Sequence, residues 1–232
     1  MNKLTMLSCA LSLLTILPAS LAAAPAAELK VTGTIVPSAC QLTLSNNGLV
    51  DYGKIPSTTL QRNAFTTLPG TIVSFDIKCE APARVAFTAK SGRGASAVNK
   101  EGALGELADP GITLYNVASG KAAAAGLGLH NEKGIGGYMI SLYPPDFKAN
   151  NNKVKLLLSG DSFKWTVIDG YHPIFSESIQ YFSWSSDGKQ PSSHTTFSGF
   201  FRIQAYLNKS TELDLSKEVK LDGLATLELF YL

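Results

Sequence analysis

The chain predicts an all-β protein, a sandwich of short antiparallel strands. Three observations predict it. Apolar and polar residues alternate with period two along several short runs, most clearly where Val73, Phe75, Ile77 and Cys79 oppose Ser74, Asp76 and Lys78. Clusters of Gly, Pro, Asn and Ser separate about ten such runs at regular intervals, as strand-and-turn chains require. Helical periodicity is missing even in the Gly- and Ala-rich stretch 92–137.

Composition bounds the rest. With 232 residues, 16% charged side chains and a formal net charge of +2, the chain can bury a full core in one or two domains. Lys and Arg are scattered, so nucleic-acid binding has no electrostatic footprint.

Taken in order, residues 1–22 read as a signal peptide. Lys3 precedes an apolar run from Leu4 to Leu17, Pro18 breaks it, and small residues follow at Ser20 to Ala24. The run is too short to span a bilayer. Cleavage is expected after Ala22, since a cut after Ala24 would leave Pro25 first. Cys9 leaves with the peptide, and a lipoprotein would need the apolar run to end there. Cys40 and Cys79 remain, and an even pair in an exported chain reads as a disulfide. The rival is a metal site, but His130, His172 and His194 lie far off and at no ligand spacing. No cofactor is expected.

Residues 23–32 form a small-residue arm in which Leu29 and Val31, continued by Ile35, alternate as a strand. Asn46-Asn47-Gly48 is a turn, and Val50 to Ile55 a short second segment. Thr71 to Cys79 is the clearest strand, and Cys79 faces the core. Val85 and Phe87 open the next strand after Ala81-Pro82-Ala83. Ile112 to Val117 and Gly137 to Tyr143 read as strands, the second stopped by Pro144-Pro145; Lys121 to Ala125 reads as at most a turn before Gly126. Strands follow at Val154 to Leu158, Phe163 to Ile168, Ile179 to Trp184 and Phe200 to Leu207. The last, Gly223 to Leu232, places Ala225, Leu227, Leu229 and Tyr231 in one row and Leu224, Thr226, Glu228, Phe230 and Leu232 in the other. So apolar an edge must be covered, by an earlier strand of the chain or by another polypeptide.

Several of these pieces occur together in one family. Gly33-Thr34-Ile35 before Pro37-Ser38-Ala39-Cys40, then Asp51-Tyr52-Gly53-Lys54-Ile55, then Phe75-x-Ile77-x-Cys79, and a Gly223-led alternating strand ending on Tyr231-Leu232 resemble the pilin subunits of bacterial chaperone–usher fimbriae. The resemblance implies an immunoglobulin-like sandwich that lacks its last strand, so that one sheet edge stays incomplete. A periplasmic chaperone would fill the groove beside the C-terminal strand, and the arm of a neighbouring subunit would replace it at an outer-membrane usher. Gly223, Ala225, Leu227, Leu229, Tyr231 and Leu232 would border the acceptor groove, and Leu29 and Val31 would act as donors. The mature chain exceeds an ordinary pilin domain, with the surplus between Phe87 and Phe200. The expected plan is one domain, 33–232, enlarged over about 88–199.

Other constellations are weaker. Gly160-Asp161-Ser162 resembles the nucleophile segment of one esterase family, but mid-chain it reads as a turn. Gly134-Ile135-Gly136-Gly137 lacks the strand-then-helix setting of a phosphate loop. Trp165, Tyr171, His172 and Trp184 belong to an aromatic-rich stretch that would bind a host or surface glycan if exposed, although alternation at Phe163, Trp165 and Val167 reads as core. The resemblance therefore implies a non-enzymatic structural subunit of a fimbria or fimbria-like surface assembly, exported through the periplasm to the cell surface and contributing to adhesion. The alternatives are a carbohydrate-binding subunit and a periplasmic β-sandwich hydrolase.

Overall fold

The computed structural model describes residues 27–34, 39–120 and 123–232. The signal peptide, Ile35 and the Pro37-Ser38 step lie outside the described residues. The chain divides into two units, 1–36 and 37–232.

In the first unit, residues 27–34 are exposed and carry no strand; Leu29 and Val31 are 92% and 90% accessible. This corrects the strand expected there.

The second unit is all-β. Eight strands carry it: β1 (Cys40–Leu44), β2 (Thr71–Ala83), β3 (Val85–Ser91), β4 (Gly136–Leu142), β5 (Lys155–Ser159), β6 (Tyr181–Ser185), β7 (His194–Leu207) and β8 (Ala225–Tyr231). The larger sheet has the order β1-β2-β7-β4 and continues through two short strands, Ala124–Gly126 and Leu107–Ala108. The smaller has the order β5-β6-β3-β8, with Thr166–Val167 beyond β5. All pairs are antiparallel. At Arg84 the chain leaves one sheet as β2 and enters the other as β3, so one continuous run serves both layers.

Alternation explains the packing. Phe75 and Ile77 of β2, Val85 and Phe87 of β3, Phe182 and Trp184 of β6 and Phe197 of β7 meet between the sheets, at 0–2% exposure. Each such ring or branched chain is worth about 1.5–3 kcal/mol of burial. Cys40 and Cys79 are bonded, as expected. They are opposed residues on adjacent strands, Cα atoms 4.0 Å apart, and so do not bridge the two layers. On the loop-entropy model this closure contributes about 4 kcal/mol. The disulfide points to an oxidising, extracytoplasmic compartment. No helix among the described residues is long and apolar enough to cross a membrane.

Part of the enlarged middle section, within 97–117, forms a third layer on the outer face of the larger sheet. Val98, Leu114, Val117 and Ala124 bury Met139 and Tyr206 there, separate from the main core. Two glycines permit this approach. A Cβ on Gly137 would lie 2.6 Å from the Tyr206 hydroxyl oxygen, and one on Gly126 would lie 2.6 Å from the Ala97 nitrogen.

Three sequence expectations change here. Ile112 to Val117 is not a strand but a tight turn, with Leu114 bridging Val117 and Tyr115 and Asn116 in the left-handed region. Ala124–Gly126, read as the end of a turn, is a strand on the edge of β4. Of Phe163 to Ile168 only Thr166–Val167 is a strand, followed by the Ile168 N–H, which donates to the Leu156 carbonyl at 3.0 Å, and Phe163 is 80% exposed. Asp161 Oδ1 accepts the Phe163 and Lys164 N–H groups at 2.9 and 2.8 Å, which delays the strand and hands the core position to Ile168. Val50 to Ile55 carries no strand, and Gly53, at φ 63°, donates its N–H to Asp51 Oδ1 at 2.7 Å.

Candidate strand-binding groove

The smaller sheet covers only part of the larger one. Where cover stops, the inward residues of β2, β4 and β7 floor an open cavity of about 1020 Å³. Val73, Ile140 and Ile203 on this floor keep 6–7% exposure, against 0–2% under the smaller sheet. One wall is β8, through Ala225 and Leu227. The other is Leu44 at the end of β1, followed by the unpaired segment Val50 to Ile55. Leu213, Val219 and Leu221, on the stretch leading into β8, close one end.

The β8 wall is a strand edge, and the opposite wall begins at one, that of β1. Gly92 N–H donates to the Leu224 carbonyl at 2.7 Å and Leu232 N–H to the Arg84 carbonyl at 3.0 Å, so the even-numbered residues of β8 bond to β3. Antiparallel alternation then turns the N–H and C=O of Ala225, Leu227, Leu229 and Tyr231 to the other side, where no strand among the described residues pairs with them. The same argument holds for β1. Glu80 N–H donates to the Ala39 carbonyl at 3.0 Å, which leaves Cys40, Leu42 and Leu44 facing the open side. Side chains alternate in step, so the residues with free backbone groups on β8 are those that point inward.

At the far end the edges meet. The Tyr231 hydroxyl accepts the Cys40 N–H at 2.8 Å and ties β8 to β1 beside the disulfide. Of the terminal-strand residues expected to border the groove, Gly223, Ala225 and Leu227 line the cavity. Leu229 packs on the core where the cavity narrows, Tyr231 forms the tie, and Leu232 bonds to Arg84. On the opposite face of β8, Glu228 pairs with Lys90 at 2.9 Å and Phe230 meets the Tyr181 ring edge-on at 5.2 Å. At the mouth Arg93 forks onto Asp222 at 2.6 and 2.8 Å. That hydrogen bond holds the Asp222 carboxyl below its usual range. Burial raises the Tyr138 hydroxyl beside them, with Arg93 opposing.

The remaining predicted residues are not brought together. Trp184 is fully buried in the core, as the alternation implied, which removes it from any ligand surface. His172 stands edge-on to buried Phe182 at 5.8 Å. Trp165 is half-buried, and Tyr171 belongs to a different group of rings. Gly160-Asp161-Ser162 is the expected turn, with Ser162 in the left-handed region at φ 63°. Among the described residues no group of three or more His, Cys, Asp or Glu is placed to hold a metal. Sequence reasoning missed the floor of the groove and the closing stretch 213–222, although Leu213, Leu215, Val219 and Leu221 do alternate there.

Two comparisons bear on this geometry. Residues 29–139 match the family described as "Protein of unknown function (DUF1120)". The chain is also 23% identical over 224 residues to "Uncharacterized protein YhcF" of Escherichia coli (strain K12), covering 90% of this chain and 92% of that protein. Both similarities include β1, β2 and β3, the run that carries the disulfide and supports the two groove walls.

Proposed function

We propose that the protein is a structural subunit of a fimbria-like surface assembly whose working surface is the groove between β1 and β8. One observation carries this reading: open strand edges of β8 and β1 flank an apolar floor, and on β8 the residues whose backbone groups are free are the ones whose side chains point inward. Such a site takes an extended peptide, which gains main-chain bonds from the edge and register from the pockets. A periplasmic chaperone supplies that strand during export. At the outer-membrane usher the arm of a neighbouring subunit replaces it, with Leu29 and Val31 as the alternating apolar donors. The disulfide supports export, and the pilin-like motifs support the exchange.

The test is recovery from periplasm. The chain expressed alone is expected to be degraded or insoluble, since an open apolar edge aggregates. Co-expression with a cognate chaperone, or fusion of a complementary strand after Leu232, is expected to restore soluble protein. A soluble, cooperatively unfolding monomer without either would overturn the reading.

A further inference from the structure

β3 has a second open edge, on the side away from β8. Its even-numbered residues bond to β8, so the N–H and C=O of Phe87, Ala89 and Ser91 face the β6 side. β6 covers only part of that side: it pairs at Ala86 and Phe87, and the chain ahead of Tyr181 leaves the sheet. Beyond Phe87 a cavity of about 250 Å³ takes the place of a strand, lined by Ala89 and Ser91 of β3 and by the stretch 174–180. Buried Phe175 and half-buried Leu107 give it an apolar lining. Among the described residues no strand pairs with Ala89 or Ser91 on this side, and none of Ser176, Glu177, Ser178 and Ile179 makes a hydrogen bond.

The fold does not use this notch. Thr88, only 4% exposed, also lines the cavity, and its hydroxyl has no hydrogen-bond partner among the described residues. Buried polar groups and strand edges are normally paired. A hydroxyl and an edge left open beside an apolar lining therefore point to a ligand from outside the chain.

The chemistry selects the occupant. Donors and acceptors two residues apart on one strand edge match the backbone of an extended peptide, which repeats with the same spacing. Charge narrows the choice further. Glu106 and Glu177 line the cavity, and neither has an ion-pair partner among the described residues, whereas the cation beside them, Lys90, is taken by Glu228 at 2.9 Å. The lining is therefore left negative. We infer that the Ala89–Ser91 edge takes a short extended segment of a partner protein that carries a lysine or arginine, its backbone bonded to β3 and its cation paired to Glu106 and Glu177. This edge lies on the opposite side of β3 from β8, so the inference stands or falls apart from the groove.

The full exported chain, alone or with a strand fused after Leu232 to fill the groove, whichever is soluble, would be titrated by NMR with the blocked peptide acetyl-Thr-Val-Lys-Val-Thr-amide. The amides of Ala89 and Ser91 are expected to shift saturably and to slow in hydrogen exchange, and the affinity to fall as salt rises. Exchanging the peptide lysine for glutamate, or methylating the backbone nitrogens along one edge of the peptide, should abolish the shifts. Glu106 and Glu177 are exposed, so Glu106→Gln and Glu177→Gln leave folding intact. Each should weaken binding about 2–5-fold, the range for one exposed ion pair. No saturable shift at these two amides, equal binding of the glutamate peptide, or affinity unmoved in both variants would overturn the inference. So would full protection of Ala89 and Ser91 in the peptide-free chain, because the stretch 174–180 would then already pair with them.

Discussion

Leu229 shows how little of a residue's role its hydrophobicity decides. Its side chain packs on the core, while its N–H and C=O face the open side of β8. In the form with a strand fused after Leu232, Leu229→Ala is expected to cost about 2–5 kcal/mol, the range for truncating a buried leucine. Thr226→Ala, on the exposed row, should stay within about 0.5 kcal/mol. Urea unfolding of both variants decides the assignment of rows, and equal penalties would contradict it. At this scale the sequence was legible: period-two alternation placed Ala225, Leu227 and Leu229 inward without reference to the rest of the chain. Phe163 was not legible, because the carboxylate of Asp161 captures two backbone N–H groups and shifts the phase of the strand that follows. Trp165 inherits that shift.

Strands were easier to read than their neighbours. β4 and β6 lie close to where alternation put them, while β2 runs through the expected break to Ala83 and β7 begins at His194, six residues before Phe200; nothing in β8 itself says that β3 takes one of its edges and leaves the other. Hydrogen–deuterium exchange would make this partition visible. In subunit freshly released from its chaperone, before it aggregates, the amides of Thr226, Glu228 and Phe230 should be protected by β3, while those of Leu227 and Leu229 exchange freely. Filling the groove with a complementary peptide should slow Leu227 and Leu229 and leave the even-numbered amides little changed. Uniform protection of all five in the empty form would mean that the edge is already covered. The groove was half legible for the same reason. Its walls are local and alternate, whereas its floor is assembled from three strands far apart in the chain, with β4 inside the enlarged middle section and β7 at its end.

As a whole the molecule is a sandwich with an added third layer, and that layer was the least legible part. Its paired strands, Ala97–Val98 and Leu104–Gly105, are two residues long, too brief for periodicity, and glycines instead of alternation make the contacts close. Stability of the whole should also respond to acid. Burial lowers the basicity of His172, with the Gln180 hydrogen bond opposing, and burial lowers that of His194. The unfolded chain therefore takes up these protons first. The contribution is fully present above the ordinary imidazole value of about 6.5 and is lost as pH falls from there toward the folded values. Asp161, Asp187, Asp214 and Asp222 are held low by hydrogen bonds and add a further loss at lower pH. Urea midpoints should drop between pH 7.5 and 5.5, and less steeply in His172→Gln; parallel slopes would assign the loss to other groups.

The row of unpaired groups along β8 also has a mechanical meaning. A peptide seated there and pulled along its own axis would load its backbone bonds side by side, in shear, so that they share the force and fail together. Pulled at right angles from the Gly223 end, the same bonds would open one after another. A single seated strand would therefore grip hard against tension along the strand and yield readily to peeling, and single-molecule pulling in the two directions would measure the difference.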